Sequence, residues 1–153
     1  CSSDLLLATP IQIAAMINTI AAGGIWREPL FLECTLDETT GEPLTALAHR
    51  GARRVFSAQT ARALRELLAS VVTEGTGHEA APTESTAAGK TGTAQTGQFA
   101  AGKELKNYWF AGFYPARNPR YTIVVLQDGQ TGPSRTSAAI FARVCDALDA
   151  AGE

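Results

Sequence analysis

The chain has 153 residues, of which 45% are hydrophobic and 18% are charged, an ordinary composition for one globular domain with a sizeable core. Its formal net charge of −2 gives no electrostatic basis for binding nucleic acid or an anionic membrane, and no apolar run approaches the length of a membrane-spanning helix. The three cysteines (Cys1, Cys34 and Cys145) are widely spaced, which argues against a disulfide framework and a zinc site, and we predict neither a metal nor a cofactor.

Three segments carry the signals of amphipathic helices. The first begins at Thr9-Pro10, an N-cap residue followed by proline at the first helical position, and ends at Gly23-Gly24. The second covers residues 58–72 behind the N-cap Ser57, and the third covers residues 136–148. The residues predicted to form their inward faces are Ile11, Ala14, Ala15, Ile17, Asn18 and Ala21 in the first helix, Leu64, Leu67, Leu68, Val71 and Val72 in the second, and Ile140, Phe141, Val144, Cys145 and Leu148 in the third.

The segment between the first two helices has weaker patterns. Residues 29–36 (PLFLECTL) predict a strand, residues 37–41 a turn, and residues 44–55 a short return strand. The predicted return strand contains a basic cluster that consists of Arg50, Arg53 and Arg54. We interpret this cluster as a solvated strand edge and not as a binding site. His49, and His78 after the second helix, have no fixed partner in the sequence, so solvated side chains are favoured over catalytic bases.

Three strands are predicted in close succession, at residues 88–95, 107–114 and 121–127. A polar, glycine-containing linker (96–106) and a tight turn (115–120) connect them, so we expect antiparallel neighbours. The third strand is apolar without alternation and is therefore predicted to be central and buried on both faces. The fold class is α+β, an antiparallel sheet covered by helices.

The stretch 87–95 (AAGKTGTAQ) is the strongest candidate for chemistry. Lys90 projects a cation among small residues, and the hydroxyl side chains of Thr91 and Thr93 flank Gly92. A strand edge of this composition could hold a carboxylate and a carbonyl oxygen side by side.

A phosphate-binding loop is one interpretation of this stretch, because Gly89-Lys90-Thr91 matches the end of G-x-x-x-x-G-K-[ST]. The first glycine of that motif would fall at Glu84, whose carboxylate would repel phosphate. The residues after Thr91 also lack the helical period that the motif requires. A second interpretation is K-T-G at an acyl-transfer site, and a third is an ordinary edge strand that happens to contain this sequence.

The surrounding motifs favour the acyl-transfer site. In chain order they are TPIQIA at 9–14, Gly23-Gly24, VVTEGTG at 71–77, GKTGTA at 89–94 and WFAGFYPA at 109–116. In content and order this set resembles the transpeptidase domains of penicillin-binding proteins, and NPRY at 118–121 is more similar to the class B branch. The resemblance covers about residues 5–148, with a minor departure at Ala22, where the family often has asparagine.

The resemblance implies a D,D-transpeptidase that cross-links peptidoglycan on the extracytoplasmic face of a bacterial membrane and is acylated by β-lactams. It implies that Lys90 is catalytic, through proton transfer and the field around the nucleophile. Thr91 and Thr93 would hold the terminal carboxylate of a stem peptide or a β-lactam, and the backbone N–H of Thr93 would donate to the oxyanion. Gly92 would leave room for the ligand to approach.

One part of the family pattern is missing from these residues. The family needs a nucleophile motif S-x-x-K and a second motif S-x-N, and neither occurs at any serine: Ser2, Ser3, Ser57, Ser70, Ser85, Ser134 or Ser137. We therefore expect residues 1–153 to be the C-terminal portion of a transpeptidase domain, inactive alone, with the N-terminal part of the domain as a partner. An exposed apolar patch and a homo-oligomer that covers it are further expectations.

Two functions of different classes also remain open at this point. The chain could belong to a β-lactam-sensing receptor domain, or to a noncatalytic structural relative of the same fold. The complete K-T-G-T sequence argues against the hypothesis of a noncatalytic structural relative, because a purely structural strand does not need that combination of residues.

Overall fold

A three-stranded antiparallel sheet with helices on both faces lies at the centre of the fold, which confirms the predicted α+β class. The computed structural model describes residues 7–32, 34–46, 51–133 and 135–152. The elements are α1 (Pro10–Ala21), β1 (Ile25–Arg27), β2 (Cys34–Leu36), β3 (Pro43–Ala46), β4 (Ala52–Arg54), α2 (Ala58–Thr73), a 3₁₀ turn (His78–Ala80), β5 (Ala88–Ala100), β6 (Lys103–Tyr114), β7 (Tyr121–Gln130) and α3 (Ser137–Ala150).

The sheet has the strand order β5–β6–β7, with Gly92 opposite Trp109 and Trp109 opposite Leu126. The predicted antiparallel pairing is confirmed, but the prediction that the third strand is central is wrong for the sheet formed by the described residues, in which β6 lies between the other two strands. The apolar run of β7 is explained by helices on both faces of the strand and not by a central position in the sheet. Val124 packs towards α1, whereas Ile123 and Val125 pack towards α3, so an edge strand is covered on both faces.

The predicted linker over residues 96–106 is also wrong. β5 continues to Ala100 and β6 begins at Lys103, so a two-residue turn joins them. Ala101 and Gly102 have φ angles of 50° and 76°, the left-handed pair that a tight hairpin turn requires. Ala-Gly is a weaker turn signal than Asn-Gly, and the polar residues around it resemble a loop.

Each of the three helices begins directly after a residue that caps it, as predicted for Thr9 and Ser57, whereas Thr136 was predicted to be the first residue of the third helix. In α1 the Gln12 side chain accepts a hydrogen bond from the Thr9 backbone N–H at 2.8 Å, which completes a capping box. Ser57 and Thr136 cap α2 and α3 through their side-chain oxygens. These caps fix the register of the three helices that cover the sheet.

Three residues predicted to lie on apolar faces are exposed, and one of them is Ile11 of α1, which is 41% exposed. Leu67 of α2 is 63% exposed and Val144 of α3 is 38% exposed. The buried face of α2 is centred near Leu68 and Val72, and that of α3 near Phe141. Leu67 and Val144 each lie at the outer edge of the apolar stripe of their helix. In both helices this stripe is wider than the contact of the helix with the sheet.

The segment between α1 and α2 forms two antiparallel ribbons, β1 with β4 and β2 with β3. Of the predicted strand over residues 29–36, Cys34–Leu36 forms β2. Residues 29–32 pair with no strand among the residues that the structure describes, and β1 was not predicted. The turn at residues 37–41 is confirmed, because Asp37 Oδ1 accepts from the backbone N–H groups of Thr40 (2.8 Å) and Thr39 (2.9 Å). These hydrogen bonds hold the pKa of Asp37 below its usual value.

Two members of the basic cluster, Arg53 and Arg54, lie exposed on the β1–β4 ribbon, as predicted. The Arg54 guanidinium donates to the carbonyl oxygen of Gly23 at 2.9 Å and so fastens the ribbon to the end of α1. Arg50 and His49 lie outside the described residues.

Candidate active site

The four residues predicted to bind or act on a substrate are brought together in one cleft of about 850 Å³. Lys90, Thr91, Gly92 and Thr93 form its wall on β5. In the described sheet β5 has β6 on one side only, so its other edge is open to a ligand. Strand pairing thus holds this wall rigidly from one side and leaves its other edge accessible.

The Lys90 ammonium lies beside the Thr91 hydroxyl. Lys90 Nζ donates to Thr91 Oγ1 at 3.2 Å and to the Thr91 carbonyl oxygen at 3.1 Å. Thr91 Oγ1 is also 3.4 Å from Thr76 Oγ1, in the loop after α2. An exposed cation next to hydroxyl donors is suited to bind a carboxylate through charge-assisted hydrogen bonds.

The Gly92 position is open towards the cleft. A Cβ atom built there would meet only Trp109 Cβ within 4 Å, at 3.5 Å, which is an ordinary van der Waals distance. The fold therefore does not itself require glycine at this position.

The segment that leads into the lysine strand is anchored to α3. The backbone N–H of Thr83 donates to Asp146 Oδ1 at 2.7 Å, and the backbone N–H of Ala116 donates to the carbonyl oxygen of Thr86 at 2.8 Å. Ala87 and Ala88 are fully buried. The wall of the cleft is thus positioned by contacts that lie outside the cleft itself.

Two buried titratable groups lie behind the sheet. Burial, and then a hydrogen bond from Tyr114 to Asp149 at 2.6 Å, raise the pKa of Tyr114 to about 12. Burial raises the pKa of the Cys145 thiol to about 12 as well, with the Asp146 and Asp149 carboxylates adding to the effect. Both groups are protonated at neutral pH, and Cys145 is not a nucleophile.

Sequence reasoning missed several residues that complete the cleft. Trp109 lies under Gly92 on the floor, and Met16 of α1 and Asp128 of β7 line the sides. Period-two alternation could have identified Trp109, because it lies on the same face of the sheet as Gly92 once the strands are paired. The pairing itself does not follow from the sequence pattern.

Asp128 reaches the cleft beside a bulge in β7. The register jumps between Lys106 and Tyr108, and Gly129 in the opposite strand has a φ angle of 60°. The backbone N–H of Gly129 donates to Asn107 Oδ1 at 2.8 Å, which fixes the bulge. This end of the cleft is polar and acidic, whereas the Lys90 end carries a positive charge.

His78 is exposed in the 3₁₀ turn and is not among the residues that line the cleft, in agreement with a solvated side chain. Within the described ranges 7–32, 34–46, 51–133 and 135–152, no three His, Cys, Asp or Glu side chains are grouped as metal ligands. The cleft lining carries the Lys90 ammonium and the Thr91 and Thr93 hydroxyls at one end and the Asp128 carboxylate at the other.

Comparison with known families agrees with this geometry. The family model of the penicillin-binding protein transpeptidase domain matches residues 2–146. The chain belongs to this family. The resemblance inferred from the K-T-G strand and its neighbouring motifs is confirmed.

Two relatives and one solved structure illustrate the similarity. The chain is 34% identical to penicillin-binding protein PbpB of Mycolicibacterium smegmatis, over 94% of this chain and 24% of that protein. It is 32% identical to stage V sporulation protein D of Bacillus subtilis, over 89% of this chain and 21% of that protein. Penicillin-binding protein 3 of Mycobacterium tuberculosis, crystallised with aztreonam, superposes with a TM-score of 0.79 at 30% identity, over 95% of this chain and 35% of that one.

These two curated relatives are much longer than this chain, which spans 24% and 21% of their lengths. The helices of the described ranges include none that combines the length and the apolar character needed to cross a membrane.

Proposed function

We propose that this chain is the K-T-G-bearing part of a peptidoglycan D,D-transpeptidase domain, which binds stem peptides and is acylated by β-lactams. The observation that carries the proposal is the wall formed by Lys90, Thr91, Gly92 and Thr93 in a cleft of about 850 Å³, in a chain of the penicillin-binding protein transpeptidase family.

Each wall residue has a distinct role in the proposed reaction. The Thr91 and Thr93 hydroxyls bind the terminal carboxylate of the stem peptide or the β-lactam, with the Lys90 charge favouring the anion. The Thr93 backbone N–H donates to the oxyanion as the tetrahedral intermediate forms. Lys90 is the catalytic residue, because its ammonium assists proton transfer at the nucleophile and stabilises developing negative charge.

The nucleophile of the reaction is a serine supplied from outside these 153 residues. None of the serines of this chain has lysine three residues later or asparagine two residues later. Residues 1–153 are on this proposal the C-terminal portion of the domain, and the portion with S-x-x-K and S-x-N is the partner of the cleft. The catalytic domain works on the extracytoplasmic face of a bacterial membrane, where its peptidoglycan substrate is located.

An exposed apolar surface supports a second association. Leu7 and Met16, which line the cleft, are 91% and 53% exposed. When the rest of the domain is absent, a second copy of the chain covers this surface, and the isolated chain forms a homo-oligomer. Analytical ultracentrifugation that finds only monomer at millimolar concentration would contradict this part of the proposal.

Covalent labelling with a fluorescent penicillin tests the acyl-transfer function. The isolated chain is expected to form no adduct. A chimaera in which residues 7–152 replace the matching segment of the Mycolicibacterium smegmatis protein is expected to be labelled. Lys90→Ala in the chimaera should slow labelling by about 10²-fold or more, in the range of a lost acid–base group.

Lys103→Ala is the matched control, because Lys103 is an exposed lysine at the hairpin end of the same sheet and does not line the cleft. It should label at the unmodified rate. A stable adduct on the isolated chain would refute the external serine. Equal labelling of the Lys90→Ala and Lys103→Ala chimaeras, with unchanged thermal unfolding, would refute the role of Lys90.

A further inference from the structure

A second concave surface lies between α1 and the β1–β4 ribbon, as a groove of about 460 Å³. It is distinct from the cleft at Lys90, and Met16 is the residue common to the two linings. Neither the K-T-G strand nor the proposed transpeptidase reaction gives this groove a role. The volume of the groove is within the range of pockets that bind a ligand or a peptide.

The groove is elongated along α1. Ile11, Ala15 and Thr19 line it at four-residue intervals, so this wall is about 12 Å long at the rise of an α-helix. Trp26 and Val55 form the opposite wall. The apolar side chains on its rim are open to solvent, since Ile11 is 41% and Val55 is 51% exposed.

Arg53 is the charged residue in this lining. Two polar groups of α1 in the groove have partners within the helix or at its N-cap, because Thr19 Oγ1 donates to the Ala15 carbonyl oxygen at 2.8 Å and the Gln12 side-chain oxygen accepts from the Thr9 N–H. The Arg53 guanidinium lies 5.4 Å from the centre of the Trp26 ring. It therefore borders the apolar surface while keeping its hydrogen-bond donors at the rim.

The arginines at this rim form no ion pair with a carboxylate in the part of the chain that the structure describes. Arg27 and Arg54 lie on the same ribbon as Arg53, and the ion pair found in residues 7–32, 34–46, 51–133 and 135–152 is Arg62 with Glu66, on α2. An occupant with a carboxylate would complement this charge, whereas a basic occupant would be repelled.

We propose that this groove binds an amphipathic α-helix of a partner protein, with its apolar face between α1 and the ribbon and an acidic side chain against Arg53. A wall of about 12 Å matches two to three turns of helix, enough for apolar anchors at positions i, i+4 and i+7. The open rim and the apolar floor suit a helix that lies along α1. The positive charge of the Arg53 guanidinium requires an acidic side chain at the facing position of such a helix.

The tryptophans allow binding to be located. Trp26 lines the groove and Trp109 lines the cleft, so in a Trp109→Phe background the emission reports on the groove. The probes are two synthetic 14-residue amphipathic helices without tryptophan, with leucine at i, i+4 and i+7. One carries a single central glutamate beside the leucines, and its twin carries lysine at that position.

The glutamate peptide is expected to shift Trp26 emission with at least about threefold higher affinity than the lysine twin, the size of one exposed ion pair. Arg53→Glu should reverse the order of the two peptides. Ala15→Phe, which fills the groove from α1, should abolish the shift. Ala63→Phe, on the exposed face of α2 outside the groove, is the matched control and should leave it unchanged.

Several outcomes would overturn the proposal. Absence of any Trp26 shift with either peptide up to 1 mM would show that the groove does not accept a helix. Equal affinities for the twins, or an unchanged order in Arg53→Glu, would remove the role of Arg53. Self-association that Ala15→Phe abolishes without peptide would assign the groove to a second copy of this chain. Circular dichroism of each variant separates these results from misfolding.

Discussion

The two faces of the central sheet differ in how completely they are covered. On the α3 face, Phe110 and Phe141 are fully buried, with ring centroids 4.7 Å apart, and Tyr114 and Cys145 complete the layer. On the α1 face, burial ends at Ala111, and beyond it the sheet opens into the cleft with Lys90. One face thus supplies the packing that stabilises the strands, and this leaves the other face free to bind a ligand.

The largest effect expected from this difference is at Phe141. Phe141→Ala should lower the free energy of unfolding by about 3–5 kcal/mol, because it removes a fully buried ring and leaves a cavity against Phe110. Val144→Ala, on the same helix but 38% exposed, should cost less than about 1 kcal/mol. Urea unfolding followed by circular dichroism measures both values. Equal losses for the two variants would show that α3 is not packed as described.

The buried tyrosine predicts how the α3 face responds to alkali. The folded-state pKa of Tyr114 is raised to about 12 from an ordinary value of 10.0, so the folded state holds the phenolic proton more tightly than the unfolded state. Its contribution to stability is complete below pH 10 and is lost as the pH rises through about 12. The loss should approach about 2 kcal/mol.

Tyr114→Phe isolates this effect, because phenylalanine has no proton to lose. The variant should lose less stability than the unmodified chain between pH 10 and pH 12, as measured by unfolding at each pH. Parallel pH profiles for the two proteins would mean that the Tyr114 hydroxyl is not buried and hydrogen-bonded to Asp149 as described.

Two glycines of β5 give the most direct comparison of packing with binding. A Cβ atom at Gly89 would lie 2.6 Å from Phe110 Cε1 and 2.8 Å from the Ala111 carbonyl oxygen, whereas at Gly92 its nearest neighbour would be 3.5 Å away. Gly89→Ala should therefore cost about 1–3 kcal/mol of stability. Gly92→Ala should cost less than about 1 kcal/mol but weaken ligand binding in the cleft by about tenfold.

Thermal unfolding and benzylpenicillin binding, measured on both variants, separate the two roles. If Gly92→Ala destabilised the chain as much as Gly89→Ala, glycine at position 92 would be a packing requirement and not a feature of the site. If Gly92→Ala left both stability and binding unchanged, the ligand would not approach the strand at this point.

The sequence predicted what depends on local signals and missed what depends on pairing. The caps Thr9 and Ser57 were predicted correctly because a cap acts within three residues of itself. The predicted position of β7 was wrong because its apolar run has the same appearance in a central strand and in an edge strand covered by two helices. Leu67 was predicted to be buried because the sequence does not give the width of the contact with the sheet.

The candidate site was predictable to a similar extent. The K-T-G strand was found because Lys90, Thr91 and Gly92 are adjacent in sequence. Trp109 and Asp128 were missed because they reach the cleft only through the register of three strands and through a bulge. A motif identifies one wall of a cleft, but long-range pairing determines the other walls.

The most direct test of the carboxylate cradle is an NMR titration of the ¹⁵N-labelled chain with benzylpenicillin and with its methyl ester, which lacks the carboxylate. We predict shifts of the Thr91 and Thr93 amide signals with benzylpenicillin, and shifts at least about tenfold weaker in apparent affinity with the ester or in Lys90→Ala. Shifts that are equal for the acid and the ester, or that are confined to residues away from β5, would contradict a carboxylate cradle at Lys90, Thr91 and Thr93.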